Sequence, residues 1–142
     1  MFKLLFTPKR HILTLQQYNR LADTFLDTLH ERVEGALETH KDANKFDTSL
    51  AMGVLTINLD KLGTFVVNKQ PPNLQIWLSS PISGPKRFDY DESMGKWTYK
   101  HDNSKLDDLL ERELSGLLNT RIKLHWPIPV YLLACGIITS SL

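Results

Sequence analysis

The first long pattern of apolar and polar positions predicts an amphipathic helix from about Leu15 to Glu38. Apolar residues recur three and four positions apart, which places them along one side of an α-helix. Thr14 and Gln17 have the spacing of a capping box, in which each side chain bonds to the backbone N–H group of the other residue. The predicted apolar side consists of Tyr18, Leu21, Ala22, Phe25, Leu26, Leu29, Val33, Ala36 and Leu37.

Short segments that alternate in polarity or are rich in β-branched and aromatic residues follow a polar connection over residues 40–47. Turn residues separate these segments, and connections so short join antiparallel neighbours. The pattern therefore predicts a β-meander. Its predicted strands run from Gly53 to Leu59, Thr64 to Lys69, Leu74 to Ser79, Lys86 to Tyr90 and Lys96 to Lys100.

A second helix is predicted from Ser104, because Ser104 and Asp107 have the spacing of another N-terminal cap and leucines follow at helical spacing. A helix, at least five strands and a final helix indicate an α+β fold. We expect a two-layer sandwich in which the N- and C-terminal helices pack on one face of an antiparallel sheet of five or more strands.

Composition divides the chain into three parts. Residues 1–12 form a basic segment without acids, which is typical of a mitochondrial presequence remnant and equally of an ordinary flexible terminus. Residues 13–119 hold the predicted domain, and residues 120–142 form an apolar C-terminal tail. The apolar run 130–138 is too short to span a bilayer. We expect it to be buried between the helices, and an aggregation-prone end is the alternative.

Charge is unevenly distributed along the chain, although the net charge is only +1. Residues 23–47 contain seven acids and three bases, a local net charge of −4. Five of these acids fall on the polar side of the first helix, where their carboxylates repel one another and a cation would relieve the repulsion. Oxygen ligands of this kind suit hard ions and iron better than zinc or copper. The candidate metal ligands are Asp23, Asp27, Glu31, Glu34, Glu38, Asp42, Asp47 and His30.

The alternative is that this acidic stripe is only a solvated helix face. Carboxylates on one convex helix cannot enclose an ion, so any affinity should be weak, with water completing the coordination. His30 lies one turn from Asp27 and Glu34. It could add a nitrogen ligand, or it is an ordinary surface histidine.

Trp77 lies on the polar side of the predicted strand 74–79. Alternation places the aliphatic residues of this strand on the core side and Trp77 on the other. An exposed indole on a rigid sheet is an effective anchor for a protein partner. The alternative is that Trp77 covers an edge of its own sheet. The residues expected to face outwards with it are Asn68, Gln75 and Arg87.

Several kinds of chemistry are excluded. The chain has no Gly-rich phosphate loop, no His-Glu-x-x-His helix and no Cys-His nucleophile pair. Its one cysteine, Cys135, excludes an internal disulfide and favours a reducing compartment. Basic residues lie at the ends rather than on the predicted strand face, which disfavours a nucleic-acid module.

Several of these segments together resemble the frataxin family over about residues 13–118. The run Asn-Lys-Gln-Pro-Pro-Asn-Leu-Gln-Ile-Trp-Leu-Ser-Ser-Pro, residues 68–81, is the most specific part. Residues 53–56, 62–70 and 83–89 add to the likeness, which is greater to eukaryotic members than to bacterial ones. The resemblance implies the same α+β sandwich. It also implies that the acidic stripe binds Fe2+ or Fe3+ through weak surface carboxylate sites and meets basic surfaces of an assembly complex.

The resemblance further implies an iron-binding regulator of iron–sulfur cluster assembly in the mitochondrial matrix. Such a regulator stimulates sulfur transfer from a cysteine desulfurase to the scaffold protein and can deliver ferrous iron. The alternative is a ferroxidase or iron-storage chaperone that acts through the acidic stripe. A monomer is implied, with oligomers formed when iron binds. The implied partner-binding residues are Asn68, Lys69, Gln70, Gln75, Trp77 and Arg87.

Overall fold

The computed structural model describes residues 13–124 as two helices and a six-stranded sheet. The predicted presequence remnant, residues 1–12, and the apolar run 130–138 lie outside the described residues. Short 3₁₀ turns occupy three of the connections. The helices and strands are α1 Leu15–Glu38, β1 Asp47–Ala51, β2 Val54–Asn58, β3 Thr64–Gln70, β4 Gln75–Ser80, β5 Gly84–Asp91, β6 Lys96–Tyr99 and α2 Leu106–Leu118.

Helix α1 begins and ends where the apolar pattern predicts. The Gln17 N–H group donates to Thr14 Oγ1 at 3.1 Å, and the Thr14 N–H group donates to Gln17 Oε1 at 2.9 Å. The predicted capping box is therefore confirmed. It fixes the first turn of the helix, where backbone N–H groups lack partners within the helix.

The six strands pair antiparallel in chain order, as predicted for a meander. Strand β1 is the one that the polarity pattern does not predict. Its residues alternate between exposed and half-buried, without a fully buried position, and so they leave a weak hydrophobic signal. The strand forms one edge of the sheet and joins β2 through the two-residue turn Met52-Gly53.

Both helices pack on one face of the sheet, and a continuous hydrophobic core fills the space between the two layers. Tyr18 and Phe25 of α1 meet Trp97 of β6 edge-on, with ring centroids 6.0 and 6.3 Å apart. The predicted two-layer α+β sandwich is confirmed. The opposite face of the sheet carries exposed and half-buried side chains, and we call it the open face.

The predicted cap of the second helix is wrong. Helix α2 begins at Leu106, its N-cap residue is Lys105, and no side chain caps it. Ser104 instead belongs to the turn after β6, where its carbonyl accepts the Tyr99 N–H group at 2.9 Å. Its hydroxyl is buried and has no hydrogen-bond partner among residues 13–124. Asp107 bonds to the Lys96 ammonium rather than to a helix N-terminus.

A buried polar contact ties the sheet to α2. The Ser80 hydroxyl donates to the Glu113 carboxylate at 2.6 Å and accepts the N–H groups of Ile82 and Ser83 at 3.0 and 3.1 Å. After α2 the chain folds back along it, and Ile122 and Leu124 are buried there. The part of the chain from 13 to 124 contains no helix long and apolar enough to cross a membrane.

Candidate functional site

Five carboxylates form a row along the solvent side of α1, and we call this row the acidic ridge. Each side chain is exposed, because the opposite side of the helix carries the residues that fill the core. Neighbours in the row are three or four positions apart, so like charges face one another along the helix. The members of the acidic ridge are Asp23, Asp27, Glu31, Glu34 and Glu38.

Asp23 differs from the rest of the ridge because it has a partner. The Lys69 ammonium bonds to its carboxylate at 2.6 Å. The Lys69 side chain is only 14% exposed, whereas that of Asp23 is 57% exposed. Lys69 therefore lies under the edge of α1, with its ammonium 5.8 Å from the centre of the Tyr18 ring. A cation at Asp23 would compete with this ion pair.

The predicted continuation of the ridge beyond α1 is largely engaged in other contacts. Asp42 bonds to the Lys45 ammonium at 2.9 Å, which holds the pKa of the Asp42 carboxyl below its usual range. His40 is buried at the end of α1: its Nδ1 accepts the Asp42 N–H group, so Nε2 carries the proton that reaches the Leu118 carbonyl at 3.1 Å. These contacts fasten the end of α1 to the end of α2. Asp47 is exposed at the start of β1.

His30 is half-buried beside the ridge, and its Nε2 is buried without a hydrogen-bond partner among residues 13–124. It lines a shallow depression of about 570 Å³ together with Asp23 and Asp27. Within the described residues, no three His, Cys, Asp or Glu side chains come close enough to hold a metal ion jointly. An ion on the ridge would therefore have one or two protein ligands and several waters, which gives weak binding.

Five of the six predicted partner-binding residues meet on the open face through strand register. Trp77 of β4 lies directly between Asn68 of β3 and Arg87 of β5. Gln75 shares this face two positions before Trp77, and Gln70 lies opposite Gln75.

Lys69 is separated from this group. Its neighbours across the sheet are Ile76 and the Gly53 turn, on the side of the core. It therefore belongs spatially with the acidic ridge rather than with Trp77.

Trp77 is half-buried rather than fully exposed, because neighbouring side chains cover part of the indole. The Arg87 guanidinium lies 4.5 Å from the ring centre, a distance at which cation–π attraction is substantial. The indole N–H group donates to Gln75 Oε1 at 3.0 Å, and Gln75 Nε2 donates to Asp89 Oδ1 at 3.2 Å. The ring is thus pre-oriented, with one flat side stacked and its N–H group satisfied.

Residues that the sequence pattern did not single out extend this surface. A depression of about 550 Å³ runs from Trp77 on the open face to Tyr99 and His101 at the end of β6. The Lys86 ammonium lies 4.9 Å from the Tyr99 ring centre, and Lys100 pairs with Asp89 at 3.2 Å. With Arg87, three cationic side chains rim the depression against one carboxylate. Such a surface complements an acidic partner.

The fold therefore sets two candidate surfaces on opposite layers of the sandwich. The acidic ridge lies on the outside of the helical layer, and the Trp77 group lies on the open face of the sheet. One surface is anionic and the other is aromatic and cationic. The two surfaces therefore do not overlap.

Comparison with known proteins identifies what this arrangement resembles. The family model described as "Frataxin-like domain" matches residues 11–120. "Frataxin, mitochondrial" of Caenorhabditis elegans is 49% identical over 108 residues, which are 75% of this chain and 79% of the relative. The Saccharomyces cerevisiae relative, "Frataxin homolog, mitochondrial", is 44% identical over 107 residues, which are 75% of this chain and 60% of the relative.

Solved structures that resemble this chain are also frataxins. A trimeric frataxin from Saccharomyces cerevisiae, complexed with ferrous, matches with a TM-score of 0.63 and 42% identity over 70% of this chain and 87% of that one. Frataxin from Psychromonas ingrahamii matches with a TM-score of 0.67 over 80% of this chain and all of that one. At 18% identity, the second match concerns the fold alone.

Proposed function

This chain belongs to the frataxin family, and we propose that it is an iron-binding regulator of iron–sulfur cluster assembly. The family acts in mitochondrial iron metabolism, and the curated relatives are named as mitochondrial, so the protein is mitochondrial. We place it in the matrix. There it would stimulate sulfur transfer from a cysteine desulfurase to the scaffold protein.

The observation that carries this proposal is the stack of Trp77 and Arg87 on the open face. Binding energy at protein interfaces concentrates in a few Trp, Tyr and Arg side chains that are packed and pre-oriented. Here one Trp and one Arg hold each other before any partner arrives. The Gln75 and Asp89 side chains add polar contacts at the rim. This is a rigid docking surface for the desulfurase–scaffold complex.

The acidic ridge would hold Fe2+ or Fe3+ loosely and supply ferrous iron to the same complex. The Saccharomyces cerevisiae structure is of a frataxin complexed with ferrous, which supports iron binding here. An ion held by one or two exposed carboxylates, with water in its remaining coordination positions, binds weakly and dissociates readily. Weak binding suits delivery rather than storage. The protein would be a monomer that forms oligomers when iron binds.

The test is Trp77→Ala in a reconstituted desulfurase–scaffold reaction. We expect loss of a central anchor to weaken docking by about tenfold or more and to remove most of the stimulation. Folding and iron binding should persist, because the indole does not contribute to the core between the layers. The matched control is Ile82→Ala, which removes an exposed apolar side chain from the β4–β5 turn. Normal stimulation by Trp77→Ala would contradict the proposal.

A second candidate function is a ferroxidase or iron-storage chaperone, favoured by the trimeric state of the same iron-complexed relative. Under this function the ridge carries the activity. Replacing Asp23, Asp27 and Glu31 by Asn, Asn and Gln should then abolish iron oxidation and assembly. The control is Asp60→Asn with Asp108→Asn, which removes exposed carboxylates outside the ridge. Unchanged oxygen consumption by the ridge variant would reject this function.

A further inference from the structure

Strand β5 is longer than its neighbour β6, and the excess leaves part of its edge open. The ladder between the two strands ends at the pair Phe88–Tyr99, whereas β5 begins four residues earlier, at Gly84. After Tyr99 the chain turns away, since the Asn103 N–H group donates to the Tyr99 carbonyl at 2.8 Å. Among residues 13–124, no strand therefore lies beside Gly84–Arg87 on the side opposite β4. We call this stretch the β5 edge.

Backbone alternation indicates which groups point out of the β5 edge. In an antiparallel sheet, the N–H group and carbonyl of one residue point to the same side, and successive residues point to opposite sides. Both backbone groups of Tyr99 bond to the turn at residues 103–104, so they point away from β5. Its neighbour Thr98 therefore points towards β5 and forms the hydrogen-bonded pair with Asp89. Arg87, two positions before Asp89, points the same way, past the end of β6.

Pro85 supports this alternation. It lies opposite Ser79 of β4 and, like Arg87, directs its backbone to the β5 edge. Proline has no N–H group, so within a sheet it occupies edges and similar positions where no neighbouring strand needs that group. The β5 edge therefore offers one donor, the Arg87 N–H group, and two acceptors, the carbonyls of Pro85 and Arg87. An extended polypeptide segment supplies the complementary groups at the same spacing.

The side chains around the β5 edge favour a negatively charged occupant. Three cations and one carboxylate line the depression that runs along it: Lys86, Arg87, Lys100 and Asp89. The one carboxylate is already paired, since Asp89 lies 3.2 Å from the Lys100 ammonium. A residue placed opposite Arg87 would direct its side chain to the open face, because directly opposed residues share a face. A carboxylate there can accept two hydrogen bonds from the Arg87 guanidinium, whose flat side already stacks on Trp77.

The two ends of this chain do not fit the β5 edge by charge. Residues 1–12 and 125–142 contain no Asp or Glu, and the first of these segments is basic. Neither carries the carboxylate side chain that the three cations would attract. Charge complementarity therefore favours a segment of another protein as the occupant.

We propose that the β5 edge is a docking site for a short, extended, acidic segment of a partner protein, which joins the sheet as an added strand. The inference rests on the proposed function, in which the partner is the desulfurase–scaffold complex. An acidic residue of the segment forms a hydrogen-bonded pair with Arg87. Its N–H group donates to the Arg87 carbonyl, and its own carbonyl accepts the Arg87 N–H group. The edge is only four residues long, roughly 13 Å, and Pro85 limits further pairing.

The first experiment measures hydrogen exchange at the Arg87 amide of the labelled full chain, alone and bound to the desulfurase–scaffold complex. In the protein alone this amide should exchange fast. The amides of Lys86 and Phe88, which point towards β4, should exchange slowly and serve as internal controls. We expect the complex to slow exchange at Arg87 by about a hundredfold or more, because an added strand bonds to this N–H group.

A peptide probe separates backbone pairing from attraction by charge alone. The probe is the acetylated and amidated peptide Thr-Val-Glu-Val-Thr, titrated into the labelled protein. Methylating its Glu nitrogen removes the N–H group that the Arg87 carbonyl accepts, and we expect the dissociation constant to rise about tenfold. Lys100→Ala should raise it about two- to fivefold, whereas Lys61→Ala, an exposed lysine between β2 and β3, should not. Equal binding of the methylated probe would overturn the inference.

Failure of this inference and failure of the proposed function give different results. Slowed exchange at Arg87 together with shifted Trp77 signals would support both. A complex that shifts the Trp77 signals and leaves exchange at Arg87 unchanged would reject the added strand and leave the proposed function intact. A complex that changes neither would reject both. Exchange at Arg87 that slows as the protein alone is concentrated would identify a second copy as the occupant and overturn the inference.

Discussion

The acidic ridge and the open face of the sheet are built in opposite ways. Within the ridge, carboxylates stand apart on one helix, and among residues 13–124 only Asp23 has a partner from elsewhere in the fold, Lys69. On the open face, side chains from adjacent strands hold one another, as Arg87 holds Trp77 and Gln75 bonds to both Trp77 and Asp89. One surface is a loose array of like charges, and the other is a connected and oriented group.

This difference indicates what each surface can bind. A cation relieves the repulsion between the ridge carboxylates, and these separate side chains impose no fixed coordination geometry on it. The ridge therefore favours a weakly held and exchangeable ion. A stacked and hydrogen-bonded aromatic group has already lost most of its freedom, so a protein partner that docks on it loses less entropy. Five measurements test how the two regions are held together and whether the two surfaces act independently.

Tyr18→Phe should give the largest effect, because Tyr18 links the two regions. It lies on α1, and its hydroxyl donates to the Gln75 carbonyl at 2.7 Å and accepts the Gln70 N–H group at 2.9 Å. Removing the hydroxyl leaves both backbone groups without this partner, so we expect a loss of about 1–3 kcal/mol in unfolding free energy. Urea titration measures it. Leu15→Ala, at an exposed position of the same helix, is the control.

The same hydroxyl predicts a pH dependence. Burial raises the pKa of Tyr18 to about 12, above the value of about 10 expected for the unfolded chain. Its contribution is therefore fully present below pH 10 and is lost as the pH rises towards 12. The loss should be on the order of 2 kcal/mol. Unfolding at pH 9 and 11.5 should show this extra loss in the parent protein, and an equal loss in Tyr18→Phe would contradict the assignment.

Arg87→Ala should weaken docking on the open face while the ridge keeps its iron affinity. Loss of the stacked guanidinium removes about 1–2 kcal/mol, or roughly five- to thirtyfold in dissociation constant. Arg87→Lys keeps the charge but not the planar stack, so it should recover only part of the affinity. Calorimetric titration with the desulfurase–scaffold complex measures both, with Lys61→Ala as a charge control. Full affinity in Arg87→Ala would show that the stack does not orient the anchor.

Neutralising the middle of the ridge should stabilise the fold slightly. Glu31→Gln with Glu34→Gln removes repulsion between neighbours on α1, which we expect to raise the unfolding free energy by a few tenths of a kcal/mol. The gain should shrink in high salt, since salt screens exposed charges. Thermal melts at low and high ionic strength measure it. A loss of stability would mean that these carboxylates have attractive contacts, contrary to their description as a repelling row.

Lys69→Met should give the smallest effect. It tests whether Lys69 belongs with the acidic ridge or with the open face. It releases Asp23 from its ion pair while keeping an apolar stem under α1. We expect iron to bind the ridge about two- to threefold more tightly, because the Asp23 carboxylate is largely exposed and its ion pair should be worth only a few tenths of a kcal/mol. Docking of the desulfurase–scaffold complex should not change. A docking defect without an iron effect would assign Lys69 to the open face instead.

Local patterns were sufficient for much of this architecture. The capping box and the apolar period place α1 from Leu15 to Glu38, and the ridge follows from the same period because it depends on one helix only. Strand β1 was not predictable in this way, since it lacks fully buried residues. The prediction that Ser104 caps α2 was wrong because Ser104 closes the turn after β6. Its carbonyl accepts the Tyr99 N–H group, and this contact depends on the position of β6.

The contacts within the candidate site depend on tertiary structure. Alternation predicts that Trp77 faces away from the core, but only the register of β4 and β5 sets Arg87 against it. Lys69 lies in the same motif as Asn68, yet adjacent residues of a strand point to opposite faces. Asp42 has the spacing to extend the ridge, but the contacts that His40 makes between the ends of α1 and α2 depend on how the two helices pack.

The most direct test of two independent surfaces is a backbone amide spectrum of the labelled protein, titrated first with ferrous iron and then with the desulfurase–scaffold complex. We expect iron to shift or broaden amides within residues 23–38 and to leave those of β4 and β5 unchanged. The complex should then perturb the amides around Trp77 and Arg87. Iron-dependent changes centred on β4 and β5, or a complex that binds without touching them, would contradict the independence of the two surfaces.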